Sequence, residues 1–440
     1  MNEVYKVGVV SLGCSKNTVD TEKMLGLFKS HGFEITANAE EADIIVVNTC
    51  GFIESAKFES IETILEMAEY KKSGSCRLLA VTGCLSQRYP EELKTELPEV
   101  DIFNGVKDYE EFVDSVAKRF YPSDKAYDSC GRRVLTTPFY SAYLRIADGC
   151  SNCCTYCAIP LIRGGMRSER MEDILEEART LVKSGVTELN VIAQDTSAYG
   201  IDLYGELKLP ELLNKLTEIE GVHWVRLLYT YPSTVTDELI NTIAENPKIV
   251  NYIDIPIQHI NDELLSAMNR HGSKNDIIHV FNRLRKSSDN FIIRTSIIVG
   301  FPGETEAQFN ELLDFVNEYE IDRIGAFTYS REEGTKAYNL PNQIDEEVKE
   351  ARLSQLMKLQ AGISERLNAK RIGEVCEIIV ENIEEGYIIG RSYAEAPDVD
   401  GKIIVPLRSR RDIDEGDYVT VKITGAQEYD LEGELYEFTK

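Results

Sequence analysis

The chain has 440 residues, of which 43% are hydrophobic and 28% charged, and its formal net charge is −27. That length suits two or three globular domains. It holds no apolar run long enough to span a membrane, and its acidity argues against a long, sequence-blind grip on nucleic acid, which needs clustered Lys and Arg. An acidic surface suits a basic protein partner, although solubility alone would also explain it. Ten cysteines are too sparse for a disulfide scaffold, and the start runs directly into a strand-like segment, not a secretory signal. A reducing cytoplasm is the expected setting.

Residues 3–120 alternate short β-branched runs (7–10, 43–47 and 78–82) with helical patterns such as 18–28 and 61–70. This order predicts a parallel sheet covered by helices. Cys14, Cys50 and Cys84 each follow one of those runs. Ends of successive parallel strands share one edge, where open α/β sheets bind ligands. Gly13, Gly51 and Gly83 beside them would let backbones approach a bulky group closely. A lone Cys is ordinarily a small buried hydrophobe; three in the same context point to a shared cluster. Residues 121–136 have little periodicity and are expected to form a linker.

Residues 137–368 repeat the alternation six times, with strands expected at 142–147, 188–193, 224–229, 252–257, 291–299 and 323–329. Six units fall short of a closed eight-fold barrel, so an open (βα)6 barrel is predicted. Four cysteines lie in the loop after its first strand: Cys150, Cys153, Cys154 and Cys157. Taken as Cys150, Cys154 and Cys157 they form CxxxCxxC, a spacing that holds three corners of a 4Fe–4S cube and leaves one iron open. A zinc knuckle using all four thiols is the alternative, but structural zinc usually draws on two separated pairs. A long helix is expected from 345 to about 370. Residues 369–440 switch to a period near two, which predicts a small antiparallel, OB-like barrel.

CxxxCxxC after a first barrel strand resembles the radical S-adenosylmethionine (SAM) superfamily, and the chain from about Tyr5 onward resembles the methylthiotransferases within it. The resemblance implies two 4Fe–4S clusters, one on Cys150, Cys154 and Cys157 and an auxiliary one on Cys14, Cys50 and Cys84. It implies a C-terminal TRAM domain. It also implies SAM as methyl donor and radical source, with Tyr156 against the adenine and Glu188 on the methionine ammonium. Arg294, Ser296 and Gly300 would make the ribose and adenine contacts. Arg163 would meet a carboxylate of SAM or substrate, and Gln194 and Asp195 would face the substrate. Ordinary packing, strand-end and turn roles explain the same residues. Cys153 departs from the family pattern, where a polar residue is usual. No side chain stands out as a general acid or base.

Gln194–Asp195–Thr196, Asp254–Ile255–Pro256 and Ala396–Pro397–Asp398 are similar to the branch that modifies an aspartate of a small-subunit ribosomal protein. Residues 370–440 carry nine Lys and Arg against seventeen Asp and Glu, a net of −8. A domain serving tRNA should be basic, whereas an acidic one suits a basic ribosomal protein. The resemblance further implies a ferredoxin- or flavodoxin-like reductant and a sulfur donor. A tRNA adenosine methylthiotransferase and a zinc-stabilised, non-enzymatic scaffold remain as alternatives.

Overall fold

The computed structural model describes residues 4–121, 133–407 and 413–436. Cys130 and most of the expected linker lie outside the described residues. In the first unit, β1 (Lys6–Ser11), β2 (Glu34–Ile35), β3 (Ile44–Thr49), β4 (Leu78–Gly83) and β5 (Ile102–Phe103) form a wholly parallel sheet in the order β2-β1-β3-β4-β5. β3 and β4 are buried along their whole length, as continuous apolar runs covered on both faces must be. β2 and β5 have two residues each, too few to carry a periodicity. Helices Ser15–Ser30 and Tyr109–Phe120 pack one face around Phe28 and Phe112, and helix Glu54–Ser73 packs the other around Ile64 and Met67. The sheet winds in opposite directions from β1 and β3, which opens a crevice at their C-terminal ends.

The second unit holds six parallel strands in chain order: β6 (Ser141–Arg145), β9 (Glu188–Ile192), β10 (Trp224–Leu227), β11 (Ile249–Asp254), β12 (Ile292–Val299) and β13 (Arg323–Thr328). β6 and β13 are not paired to each other, so the barrel is open as expected. A two-stranded ribbon, β7 (Ala147–Asp148) with β8 (Arg167–Ser168), brackets the cysteine loop. Alternation sorts the side chains. Leu144, Leu189, Val225 and Ile253 join the core under the outer helices, while Ser141, Tyr143, Glu188, Arg226, Asp254 and Arg294 take the opposite face and line the lumen.

The third unit is a closed barrel, β14 (Val375–Glu384), β15 (Tyr387–Arg391), β16 (Ile403–Pro406), β18 (Leu431–Leu435) and β17 (Tyr418–Ala426), in that order around the ring. β16 and β18 run parallel, which corrects the expectation of a purely antiparallel barrel. An odd number of strands cannot close with every neighbour reversed. β18, Leu–Glu–Gly–Glu–Leu, is only five residues long with two of them apolar, and was not foreseen. Between β15 and β16, residues 392–402 leave this barrel and cap the lumen of the larger one at the N-terminal ends of its strands. There Ala394 and Ala396 pack with Tyr143, Trp224 and Tyr252.

Candidate active site

The loop 150–157 starts where β7 ends. Gly149 takes φ +73°, and a Cβ there would lie 2.7 Å from the Gly164 carbonyl oxygen, so the loop crosses 164–165 at a distance only glycine permits. Cys150 N–H donates to Gly164 O at 3.1 Å, and Thr155 N–H to Met268 O at 2.9 Å. Asn269 Nδ2 donates to the carbonyls of Asn152 and Cys153. These bonds fix the loop from two sides. Burial pushes the Cys150 thiol up to about 11 and the Cys157 thiol to about 12, and the neighbouring thiol of Cys154 adds to both. Arg270 stands 3.9 Å from Cys154 Sγ, over the Tyr231 ring, and donates to Pro256 O. Cys153 is exposed with φ +51°, the bend that separates it from the other three.

The second set assembles at the crevice of the first sheet. Cys14 caps helix Ser15–Ser30, Cys50 directly follows β3, and Cys84 directly follows β4. Thr49 is in register with Gly83, so Cys50 and Cys84 emerge side by side. A Cβ on Gly13 would sit 3.0 Å from Cys50 Sγ, and one on Gly51 would sit 2.7 Å from Leu85 Cα; the three loops touch through their glycines. Asn17 Nδ2 ties the ends of β1 and β3 together through Leu12 O and Thr49 O, and Asn48 Nδ2 donates to Asn17 O. Burial raises Cys50, with Cys14 adding to it, and raises Cys84 to about 12 against the pull of Arg163, with Cys14 and Cys50 adding to it.

A buried polar chain joins the two sets. Arg163, only 2% exposed, reaches out of the barrel unit and into the first. Its Nη2 lies 2.9 Å from Asp20 Oδ2, 2.9 Å from Asn17 Oδ1 and 3.8 Å from Cys84 Sγ. Its Nη1 donates to Asp148 Oδ1 at 3.1 Å, two residues before Cys150. Arg145 pairs with Asp20 from the other side. Burial opposes the charge of Asp148, but Arg163 and Arg145 hold its carboxyl below the usual range. Asp20, Arg145 and Asp148 were not singled out from the sequence; each is an ordinary charge until the two units dock.

The structure brings some of the expected residues to the cysteine loop. Tyr156 is among them, its hydroxyl 3.4 Å from Arg270 and pushed well up by burial. Gln194 donates to Asp148, and Asp195 accepts from Asn152 Nδ2 at 2.8 Å, with its carboxyl raised by burial. Arg163 is at the second thiol set instead of awaiting a carboxylate of SAM, because Asp20 and Asp148 already occupy it. Arg294 pairs with Asp254 at 3.1 Å, with Ser296 two residues on along the same lumen face. Gly300 makes its close approach to the Lys349 side chain, not to an open cradle. Glu188 is not brought to the loop at all. It is the first residue of β9, at the opposite end of the lumen, wholly buried and clamped by Arg391, with Ser141 Oγ donating at 2.7 Å and Arg226 at 3.4 Å. A strand-start Glu beside glycine looks the same in sequence whether it meets a ligand or a guanidinium from 203 positions away.

Two sets of three thiols, gathered by close glycines, have the donor chemistry of thiolate-bound iron–sulfur clusters, in which binding displaces the protons. Among the described residues no three His, Cys, Asp or Glu side chains are drawn together as around a single ion. One thiolate on each iron of a cube does not require that, and the residues present fit such a group.

Comparison with known proteins matches a known family to each of the three units. Residues 6–105 match the uncharacterized protein family UPF0004, residues 144–316 the radical SAM superfamily, and residues 372–435 the TRAM domain. The radical SAM methyltransferase TsrM from Kitasatospora setae superposes with a TM-score of 0.56 at 13% identity, over 74% of this chain and 73% of that one. The cobalamin-dependent SAM radical enzyme OxsB gives 0.51 at 14% identity, over 81% and 56%. These likenesses speak to the fold alone. The ribosomal protein uS12 methylthiotransferase RimO of Clostridium botulinum (strain Okra / Type B1) is 49% identical over 99% of both chains. That of Clostridium perfringens (strain 13 / Type A) is 50% identical over 98% of both. With half its residues shared across nearly the whole length, this chain belongs to the RimO family of ribosomal protein uS12 methylthiotransferases, on a radical SAM barrel.

Proposed function

We propose that this protein adds a methylthio group to the β-carbon of an aspartate of ribosomal protein uS12, using SAM and two 4Fe–4S clusters. It is a radical SAM enzyme and a transferase of methylthio groups. The first cluster is assigned to Cys150, Cys154 and Cys157, the auxiliary one to Cys14, Cys50 and Cys84. The observation that carries the two-centre reading is Arg163, which touches one thiol set and braces the strand that leads into the other. When bound, these groups supply one-electron cleavage of a sulfonium, abstraction of a substrate hydrogen and a carried sulfur.

The chain's own residues position and exclude. Asn152 and Asp195 hold the loop to the end of β9. Residues 392–400 seal the far end of the lumen, where Tyr143 donates to Asp398 and Tyr252 to Asp400, keeping water from a reactive interior. The assigned units run 3–120, 137–368 and 369–440 with a linker between the first two. A ferredoxin- or flavodoxin-like protein supplies electrons, and a separate donor supplies sulfur. Among the described residues no helix is long and apolar enough to cross a membrane.

Anaerobic purification followed by iron analysis should give about eight irons per chain, four for each cube. Mass spectrometry of uS12 incubated with SAM, sulfide and a reductant should show a methylthio adduct on one aspartate. Modified tRNA with unmodified uS12 would refute the substrate; zinc without iron would refute the enzyme.

A further inference from the structure

We propose that Lys16 receives the side-chain carboxylate of the substrate aspartate. This rests on the reading of the substrate given above and extends it to a residue.

Lys16 is two positions after Cys14 and only 6% exposed. Its Nζ lies 2.9 Å from the centroid of the Tyr229 ring. Among the described residues it makes no hydrogen bond or ion pair, although an ammonium carries three donors and a ring face satisfies only one side of it. Three nearby guanidinium groups are matched by carboxylates, Arg163 and Arg145 by Asp20 and Arg294 by Asp254, and a fourth, Arg270, donates to Pro256 O. Asp254 is the acidic group that faces Lys16 through space, but its Oδ1 takes Arg294 and its Oδ2 takes the Tyr229 N–H at 3.2 Å. A buried ammonium with no anion is costly, and an arriving carboxylate would relieve it.

The place is as apt as the charge. Tyr229 takes φ +61°, and its ring bridges the two halves of the site. Its hydroxyl is 3.3 Å from Ser15 Oγ, next to Cys14, and its carbonyl accepts from Thr196 N–H at 2.9 Å, next to Asp195. Lys16 therefore stands beside Cys14, where the first unit meets the loops that follow β9 and β10. Gripping a carboxylate there fixes the carbon one bond away, which is the carbon to be modified. The contact also distinguishes an aspartate from a neutral side chain or a nucleobase.

The test uses anaerobically reconstituted holoenzyme, wild type and Lys16→Met, titrated with labelled unmodified uS12 and with uS12 carrying Asn at the target aspartate. Binding is followed by fluorescence anisotropy, with iron content measured alongside. Wild type should bind the aspartate form roughly 10- to 100-fold tighter than the Asn form, the range for a charge-assisted hydrogen bond. Lys16→Met should bind both alike at unchanged iron content, and Lys16→Arg should keep part of the preference. An unchanged preference in Lys16→Met, or loss of iron from it, overturns the assignment. Wild type that fails to modify uS12 removes the functional reading itself; wild type that modifies it while Lys16→Met keeps the preference removes the Lys16 assignment alone.

Discussion

Replacing Arg391 by Met removes the guanidinium that clamps Glu188 across the junction of the two barrels. Glu188 is wholly buried. Burial opposes its charge, yet Arg391 holds its carboxyl down from 4.5 to about 2. A depression of that size is worth about 3 kcal/mol, at about 1.4 kcal/mol per pKa unit. Breaking a buried pair on one side costs about 3–5 kcal/mol, because the surviving charge is left desolvated. Arg226, at 3.4 Å, cannot compensate, since burial already pushes its own pKa down and its terminal nitrogens donate to Ser392 O and Tyr393 O. The single tryptophan, Trp224, reports this junction directly: it is buried edge-on against Tyr418, with ring centroids 5.0 Å apart. Urea titration at pH 7 followed by tryptophan fluorescence should show the transition weakened by about 3 kcal/mol or more in Arg391→Met. Adding Glu188→Gln should restore part of that loss. The depressed carboxyl contributes fully above its unfolded value near 4.5, and that contribution fades as pH falls toward about 2. Wild type should therefore lose this advantage over the double variant across that window. A change below about 1 kcal/mol in Arg391→Met would refute the claim that the ion pair holds the barrels together.

Three further outcomes follow from the thiol sites. Gly83→Ala places a methyl 2.5 Å from Thr49 O at φ +99°, so it should displace Cys84 and lower iron from about eight to about four per chain on anaerobic analysis. Cys153→Ser should leave iron unchanged, because that thiol is exposed and turned off the loop by its positive φ, whereas Cys154→Ser should remove about four irons. Arg163→Met leaves Asp20 and Asp148 short of a buried partner, and should destabilise the holoenzyme in thermal unfolding by about 3–5 kcal/mol. Equal melting of that variant and the wild type would argue against the bridge.

What could be read without coordinates was local. All six barrel strands and the three longer strands of the first sheet occur within a few residues of their expected places, because β-branched runs between turn residues mark strands directly. The cysteines were legible for the same reason: a thiol just past a strand must lie at a sheet edge, whatever the rest of the chain does. The two-residue edge strands and Leu431–Leu435 were not, since so few residues carry no period. Chain order alone could not decide which charge meets which. Glu188 and Arg391, Arg163 and Asp20, and Lys16 and Tyr229 are each separated by more than 140 positions. Their pairing depends on how three independently patterned units dock, and docking brings together surfaces whose side chains, taken singly, look like any solvated charge. Thus the two groups of thiols could be picked out from the chain alone, one by its spacing and the other by its place after three strands. The partners of Glu188 and Asp20, and the ammonium of Lys16 left without one, were decided only when the units closed on each other and excluded the water that would have served them equally well.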